Sequence, residues 1–345
     1  MPPSEETYHV LRPRPHPIRL SLVIPMYNEE AAFPFLRAAV TSFLGDSPSP
    51  TEVILVNDGS SDATLAKAAE WAADDPRVKL IHLSRNFGHQ LAATAGLDYA
   101  TGDAVVLIDA DLQDPLAVIH EMVERYRQGY DVVYGQREAR PGESVFKRFS
   151  AWAFYRLMRT LVDRRLPADA GDFRLLSREC LDGLRQMREQ HRFLRGMVTW
   201  VGYPQCAVKY RRDARVAGSS KYPFRKMLTF AWTAATSFST LPLRIGIFLG
   251  LLAGLLGIEE ALRAVVALWS GRAVPGWTSL MVLTSIVGGA VLISIGIVGQ
   301  YVGRIYEESK GRPLYLVART FNVPPAEAPN AGGARNAAHG SAATG

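Results

Sequence analysis

The run Ala104-Val105-Val106-Leu107-Ile108-Asp109-Ala110-Asp111-Leu112-Gln113 narrows the folds open to this chain more than any other stretch. Five apolar residues without polar alternation make a strand covered on both faces. Such strands belong to mostly parallel sheets flanked by helices. Short runs rich in Val, Ile and Leu at residues 18–25, 53–56, 78–83 and 131–134 have the same character. Between these strands lie helical patterns at 33–44, 62–73, 90–99 and 115–128. The alternation predicts an α/β fold, a mostly parallel sheet with helices on both faces. In open sheets of this kind, ligands bind beyond the carboxyl ends of the strands.

Three polar clusters fall at those ends. Pro25-Met26-Tyr27-Asn28-Glu29-Glu30 closes the first strand, Asn57-Asp58-Gly59-Ser60-Ser61-Asp62 the second, and Asp109-Ala110-Asp111-Leu112-Gln113 the fourth. Each alone reads as a loop or a helix cap, as Asp114-Pro115 does. Together they predict one crevice. Two carboxylates one residue apart suit a hard divalent cation, which takes oxygen ligands and bridges to substrate phosphates. Asp109 and Asp111, with Gln113, are the candidate ligands. Tyr27 offers a stacking face and Glu29 an acceptor, while Asp58 can accept from a nucleobase or ribose. Gly59 permits close backbone approach. Arg137 opens a basic stretch able to hold phosphate oxygens. Gly171-Asp172-Phe173-Arg174 follows a long amphipathic pattern at 144–166; Asp172 is a catalytic candidate there, against a structural ion pair with Arg174. His89, after Arg85-Asn86-Phe87-Gly88, reads as a packing or loop residue rather than a catalyst.

The later part of the chain is patterned for a membrane. Residues 278–302 form a stretch of 25 without a charge, and a helix crossing a bilayer needs roughly 20 apolar residues. Residues 245–268 are similarly apolar but interrupted by Glu259, Glu260 and Arg263. The turn-rich residues between the two stretches predict a helical hairpin with two spans. Arg244 before it and Arg304, Lys310 and Arg312 after it place both ends in the cytoplasm. Charges within a span are costly unless paired. Glu259 and Arg263 are four apart and can pair on one face; the alternatives are an early end of the span at the outer headgroups or a homo-oligomer contact.

The expected layout is therefore a disordered leader at 1–17, without an export signal, and a cytoplasmic catalytic domain at 18–218. An interfacial amphipathic segment follows at 219–243, where Phe224, Met227, Leu228, Phe230, Trp232 and Phe238 accompany Lys221, Arg225 and Lys226. The hairpin occupies 244–303 and a cytoplasmic tail 304–345, disordered from about 324. The net charge is +6, with basic clusters at 137–165 and 209–226. The second cluster abuts the membrane segment, which favours lipid or phosphate over nucleic acid. Cys180 and Cys206 show neither metal-ligand spacing nor a disulfide framework.

Taken together, these motifs resemble the polyprenyl-phosphate glycosyltransferases among the inverting family 2 glycosyltransferases, to which the dolichol-phosphate mannose synthases are related. The resemblance rests on Val23-Ile24-Pro25-Met26-Tyr27-Asn28-Glu29, Val56-Asn57-Asp58-Gly59-Ser60, Ser84-Arg85-Asn86-Phe87-Gly88-His89 and Asp109-Ala110-Asp111-Leu112-Gln113-Asp114-Pro115. Gly171-Asp172-Phe173-Arg174, Gly218-Ser219-Ser220-Lys221-Tyr222 and the ending Tyr306 to Tyr315 extend it from about Leu20 to Val317. It implies a nucleotide-sugar-binding fold of the GT-A type in the bacterial inner membrane. It implies a nucleotide-sugar donor, UDP-glucose first, and a polyprenyl-phosphate acceptor, undecaprenyl phosphate first, with Mg2+ or Mn2+ as cofactor. Carried over residue by residue, it puts Pro25, Tyr27, Glu29 and Asp58 around the nucleoside and Asp109, Asp111 and Gln113 around the metal. Arg137, Arg148, Arg215 and Lys221 become the phosphate binders. A processive polysaccharide synthase is the rival enzyme, and its Gln-x-x-Arg-Trp motif does not occur here. A non-catalytic membrane scaffold is the rival from another class, and the intact carboxylates oppose it.

Overall fold

β1 (Leu20–Met26) and β2 (Thr51–Asn57) are buried along their whole length, the polar Ser21 and Glu52 included. The computed structural model describes residues 11–47, 49–137, 170–211, 241–270 and 277–324. The other strands are β3 (Val78–Leu83), β4 (Ala104–Leu107), β5 (Val132–Arg137), β6 (Ala170–Ser177), β7 (Gln205–Tyr210) and β8 (Val317–Phe321). They form one sheet in the order β7-β5-β6-β4-β1-β2-β3-β8. Only β6 and β8 run against the rest. The expected mostly parallel α/β sheet is therefore present, with an antiparallel strand inside it and another at its edge. Around it lie α1 (Phe33–Asp46), α2 (Thr64–Asp74), α3 (His89–Tyr99), α4 (Val118–Arg127), α5 (Arg178–Gln186) and α6 (Leu194–Val201).

Strand order fixes where the site lies. From β1 the chain moves outward to β2 and β3, then crosses to β1's other side as β4. The carboxyl ends of β1 and β4 thus flank a switch point, where loops diverge and leave a crevice.

A buried polar network ties the opposite end of the sheet together. Glu52 pairs with Lys79 at 2.9 Å, both nearly inaccessible. Its Oε1 accepts from Ser21 Oγ at 2.5 Å, Thr101 N at 2.8 Å and Thr101 Oγ1 at 2.9 Å. Burial pushes this carboxyl's pKa up, but the hydrogen bonds from Ser21, Lys79 and Thr101 outweigh it and hold the pKa below the ordinary 4.5.

The two long helices α7 (Leu241–Trp269) and α8 (Trp277–Ser309) form a unit separate from the sheet. Within it Ser294 Oγ lies 3.4 Å from the Gly246 carbonyl. Ile247, Phe248, Leu251, Leu255, Leu292, Ile295 and Val302 are all exposed, a surface suited to lipid rather than water. Among the described residues one segment is long and apolar enough to cross a membrane: Ile286–Ser309, 24 residues with mean hydropathy 1.8. The apolar part of α7, Gly246–Glu259, is shorter, so only one of the two expected spans meets that test. Glu259 and Arg263 do pair, at 2.6 Å.

After α8 the chain rejoins the sheet. β8 pairs antiparallel with β3. Tyr315 Oη donates to Asp98 Oδ2 at 2.7 Å, and Asn322 Nδ2 donates to the carbonyls of Ala72 and Val78 at 2.5 and 2.9 Å. The tail expected from residue 304 thus contains a helix end and a strand of the sheet.

Two outcomes are expected for the detergent-solubilised full chain. Glu52→Ala strands the Lys79 ammonium in the interior, a loss of about 3–5 kcal/mol, or roughly 10 °C in apparent melting temperature. Because the folded-state pKa is depressed, this stabilisation is complete above 4.5 and fades as the pH falls through the lower folded value. The gap between parent and variant therefore narrows on acidification; a gap that widens below pH 4.5 would contradict the network. Second, ending the chain after Ser309 keeps both long helices and the sheet's first seven strands, yet uncovers the β3 edge. Thermal denaturation and size-exclusion chromatography should show a lower melting temperature and aggregation.

Candidate active site

β6 brings the acidic residues face to face. Its register on β4 pairs Leu107 with Arg174. Continued two residues toward the site, that register sets Asp109 opposite Asp172. The β5 pairing of Gln136 with Ala170 brings Arg137 to the same end. Arg137's guanidinium lies across Gly171, 2.7 Å from where a Cβ would sit, so this position admits no larger residue without displacing the arginine. Arg137 Nε also reaches Tyr210 Oη at 3.4 Å, and Tyr210 Oη donates to Asp114 Oδ1 at 2.5 Å.

Asp172 is tightly held. Arg195 Nε donates to its Oδ1 at 2.8 Å, Gln90 Nε2 to its Oδ2 at 3.2 Å, and His89 Nε2 stands 3.3 Å from Oδ2. Burial pushes its pKa up, but Arg195, the His89 hydrogen bond and Arg174 overcome this and hold the carboxyl well below its usual range. Arg174 does not form the ion pair expected as an alternative. Its Nη2 donates to the Gly171 carbonyl at 2.9 Å, its Nε is buried without a hydrogen-bond partner, and burial lowers its pKa to about 10.

His89 Nε2 is also 3.5 Å from Asp109 Oδ1. Burial works against the imidazolium, but Asp172 and Asp109 prevail and raise its pKa. Asp109 shifts upward, chiefly through burial and then through the carboxylates of Asp172, Asp114 and Asp111, against the pull of His89. Asp111 is buried, and its Oδ1 accepts from Gln113 N at 3.2 Å, with Leu112 between them at φ 53°. Among the described residues no three His, Cys, Asp or Glu side chains form a ready metal cage.

The first two strand-end loops are stitched together. Ser60 Oγ accepts from Asn28 N at 3.0 Å, Asn28 Oδ1 accepts from Ser61 N at 2.8 Å, and Thr64 Oγ1 accepts from Glu29 N at 2.9 Å. Pro25 is buried at the end of β1, and Tyr27 beyond it is 48% exposed, leaving a ring face open. Asp58 is buried and turned toward the third loop. Its two oxygens accept from Phe87 N at 2.7 Å and Gly88 N at 2.9 Å. Burial is the main cause of its raised pKa, opposed by these hydrogen bonds. Gly59, at φ 65°, allows the contact: a Cβ there would stand 2.4 Å from the Arg85 carbonyl carbon.

The structure thus brings together Asp109, Asp111, Gln113, Asp172 and Arg137 near one strand end, with Pro25, Tyr27, Glu29 and Asp58 on the neighbouring loops. Arg148, Arg215, Lys221, the 144–166 pattern and most of the interfacial segment lie outside the described residues. Sequence reasoning missed Arg195 and Gln90 and gave His89 a packing role. Arg195 sits in the first turn of α6, which no polar strand end precedes. His89 and Gln90 open α3 directly after such an end, and that placement was the available signal.

Comparison with known proteins supplies a family. The family model described as Glycosyl transferase family 2 matches residues 21–185. An uncharacterized glycosyltransferase of Bacillus subtilis, YkcC, is 43% identical over 307 residues, covering 89% of this chain and 95% of its own length. The bactoprenol glucosyl transferase of Shigella phage SfV is 40% identical over 301 residues, covering 87% of this chain and 98% of its own. Among solved structures, a mannosyltransferase from Pyrobaculum calidifontis in complex with GDP-Man and Mn2+ aligns with TM-score 0.40 and 17% identity, over 83% of this chain and 89% of that one.

The Asp58 geometry separates two roles by experiment. If Asp58 clamps the third loop, Asp58→Asn presents an amide to an N–H and costs about 1–3 kcal/mol of stability, while relative affinities for UDP, CDP and GDP stay in the same order. If it reads the base, that order changes. Calorimetry with the three nucleotides, alongside a melting curve, checks both.

Proposed function

The chain belongs to glycosyltransferase family 2, and from that premise we propose that it transfers glucose from UDP-glucose to undecaprenyl phosphate at the cytoplasmic face of a bacterial inner membrane, with inversion at the anomeric carbon. One observation carries the reading: Asp109, at the β4 end of the switch point, lies opposite Asp172 of β6 with His89 within 3.5 Å of both, and Arg137 lies across the adjacent Gly171. The choice of lipid and sugar is supported by relatives named bactoprenol glucosyl transferase.

The donor set fits a hard cation. Mg2+ commonly uses one or two protein carboxylates and completes its shell with water and substrate phosphates, so two aspartates without a cage suit a site that the diphosphate finishes. The acidic neighbours of Asp109 point the same way: Asp172, Asp114 and Asp111 add to the effect of burial on its carboxyl, and a dication would relieve their repulsion. Asp109 and Asp111, with Gln113 beside them, would hold Mg2+ or Mn2+, which supplies compensation for the charge of the leaving diphosphate.

The chain's own residues do the rest. Tyr27 and Glu29 would border the nucleoside, just beyond Pro25, which pairs with Val56 near the end of β1. Arg137, with its Nε 3.4 Å from Tyr210 Oη, would face the phosphates; Arg148, Arg215 and Lys221, which lie outside the described residues, are assigned to the acceptor phosphate on the family resemblance alone. The acceptor phosphate, with a second pKa of about 6, is largely dianionic at neutral pH. Its oxygen forms the new bond to the anomeric carbon as the bond to the diphosphate breaks, and the electron pair leaves with UDP. No side chain need remove a proton, so the catalysis is positioning and electrostatic stabilisation. In this reading Ile286–Ser309, long and apolar enough to cross a membrane, would sit in the bilayer, with the Glu259–Arg263 pair of α7 at the outer headgroups.

Transfer of labelled glucose into organic-extractable lipid tests this, using a panel of nucleotide sugars and undecaprenyl phosphate. UDP-glucose should lead the panel. Asp111→Asn should reduce transfer at least 100-fold without changing the melting temperature. Preference for another donor would refute the sugar assignment, and a folded Asp111→Asn protein with parental activity would refute the metal assignment.

A further inference from the structure

The side chain that links the two facing aspartates comes from the third strand-end segment. His89 is the first residue of α3, and the preceding Gly88 N–H is held by Asp58 at 2.9 Å. The start of the helix is therefore fixed by the second strand-end loop. Gln90 is locked at both ends: Nε2 donates to Asp172 at 3.2 Å and Oε1 accepts from Leu194 N at 2.9 Å. Arg195, one residue further along α6, takes the other oxygen of Asp172 at 2.8 Å. The beginnings of α3 and α6 are thus cross-linked through Asp172, whose orientation is set before any substrate arrives.

His89 Nε2 then stands 3.3 Å from Asp172 and 3.5 Å from Asp109. We propose that His89 is a positioning residue that sets the Asp109 carboxylate for the cation, with Asp172 serving as the anchor of His89 rather than as a proton acceptor. The chain of contact runs from Arg195 and Gln90 through Asp172 and His89 to Asp109. Asp109 follows β4 in a loop, where its side chain has rotational freedom unless a neighbour restricts it. Ligating carboxylates are ordinarily held by outer hydrogen bonds, and losing such a partner costs about 10–100-fold in metal affinity or activity. Asp172 cannot itself serve as that partner, because two ionised carboxylates facing across adjacent strands repel. A donor between them turns the repulsion into a bridge. This inference rests on the assignment of Asp109 and Asp111 to the metal.

The test measures binding rather than turnover. UDP binding to the detergent-solubilised full chain is followed by calorimetry while Mn2+ is varied. His89→Ala should raise the Mn2+ concentration for half-maximal UDP binding by about 10-fold or more, with UDP affinity at saturating Mn2+ changed less than about threefold. Added imidazole should restore part of the loss, which repair of a packing defect would not do. His89→Asn keeps a side-chain N–H and should lose less; it also serves if the alanine variant fails to fold. Asp172→Asn should raise the Mn2+ requirement in the same way, and the double variant should add little to either single change, because both act along one line. An unchanged Mn2+ requirement in a folded His89 variant, or full additivity with Asp172→Asn, overturns the proposal. Asp111→Asn separates the two readings. If it leaves the Mn2+ dependence of UDP binding intact, the metal assignment falls and the role of His89 falls with it. If it removes that dependence while His89→Ala does not, the role of His89 alone is wrong.

Discussion

The site depends on keeping Asp172 ionised where water barely reaches it. A buried carboxylate is costly unless it is paired and hydrogen-bonded, and this one faces a second carboxylate across adjacent strands. Arg195, His89 and Gln90 answer that cost directly, and Arg174 answers it from the same face of β6. These partners come from α3, α6 and the sheet itself. Satisfying one anion therefore specifies how two helices meet the strand ends. The same demand accounts for a buried arginine inside a strand, which would otherwise be a liability.

This arrangement limits the chemistry. A carboxylate held well below its usual pKa by an arginine and an imidazole is a poor general base, because accepting a proton would mean abandoning those partners. The proposed acceptor needs no such base, since it arrives as a phosphate dianion. Negative charge then becomes the difficulty to be managed: the acceptor and the leaving diphosphate are both anionic, and at least four aspartates stand nearby. In the proposed reaction that task falls to Arg137, which is set against Gly171 and Tyr210. Its geometry depends on the absence of a side chain at Gly171 as much as on its own charge.

The first five strands were legible because each carries a core of Val, Ile and Leu, dense enough to show through the buried Ser21, Glu52 and Lys79. The crevice was legible from polar residues gathered at their ends. β6 was not, since it opens with Gly171 and Asp172 and carries Arg174 among Phe173, Leu175 and Leu176. Those polar residues count against a buried strand until their partners are known, and the partners lie far off in sequence at Gln90 and Arg195. The alternation of Asp172 and Arg174 with Phe173 and Leu175 was a period-two signal obscured by its chemistry. β8 was hidden differently: Val317–Phe321 is short and largely exposed, and nothing local marks it as part of a sheet begun three hundred residues earlier. The neighbours of His89 were not legible, because Asp109 and Asp172 face it from distant parts of the chain.

β8 also imposes an order on folding. The long helices are not appended to the sheet; they are inserted between β7 and β8. During synthesis β3 stays an open edge until both helices have been made, and an open edge invites pairing with another chain. The late strand that closes it is secured away from the ladder as well as along it, by Asn322 on the carbonyls of Ala72 and Val78 and by Tyr315 on Asp98. Asp98 is held in turn by Arg188 through both of its oxygens, and it lies near the end of α3, the helix that begins with His89. One end of that helix is therefore fixed by the residues of the site and the other by a segment synthesised after the two long helices. A chain that has not completed both long helices cannot complete its sheet, so the finished catalytic fold presupposes them.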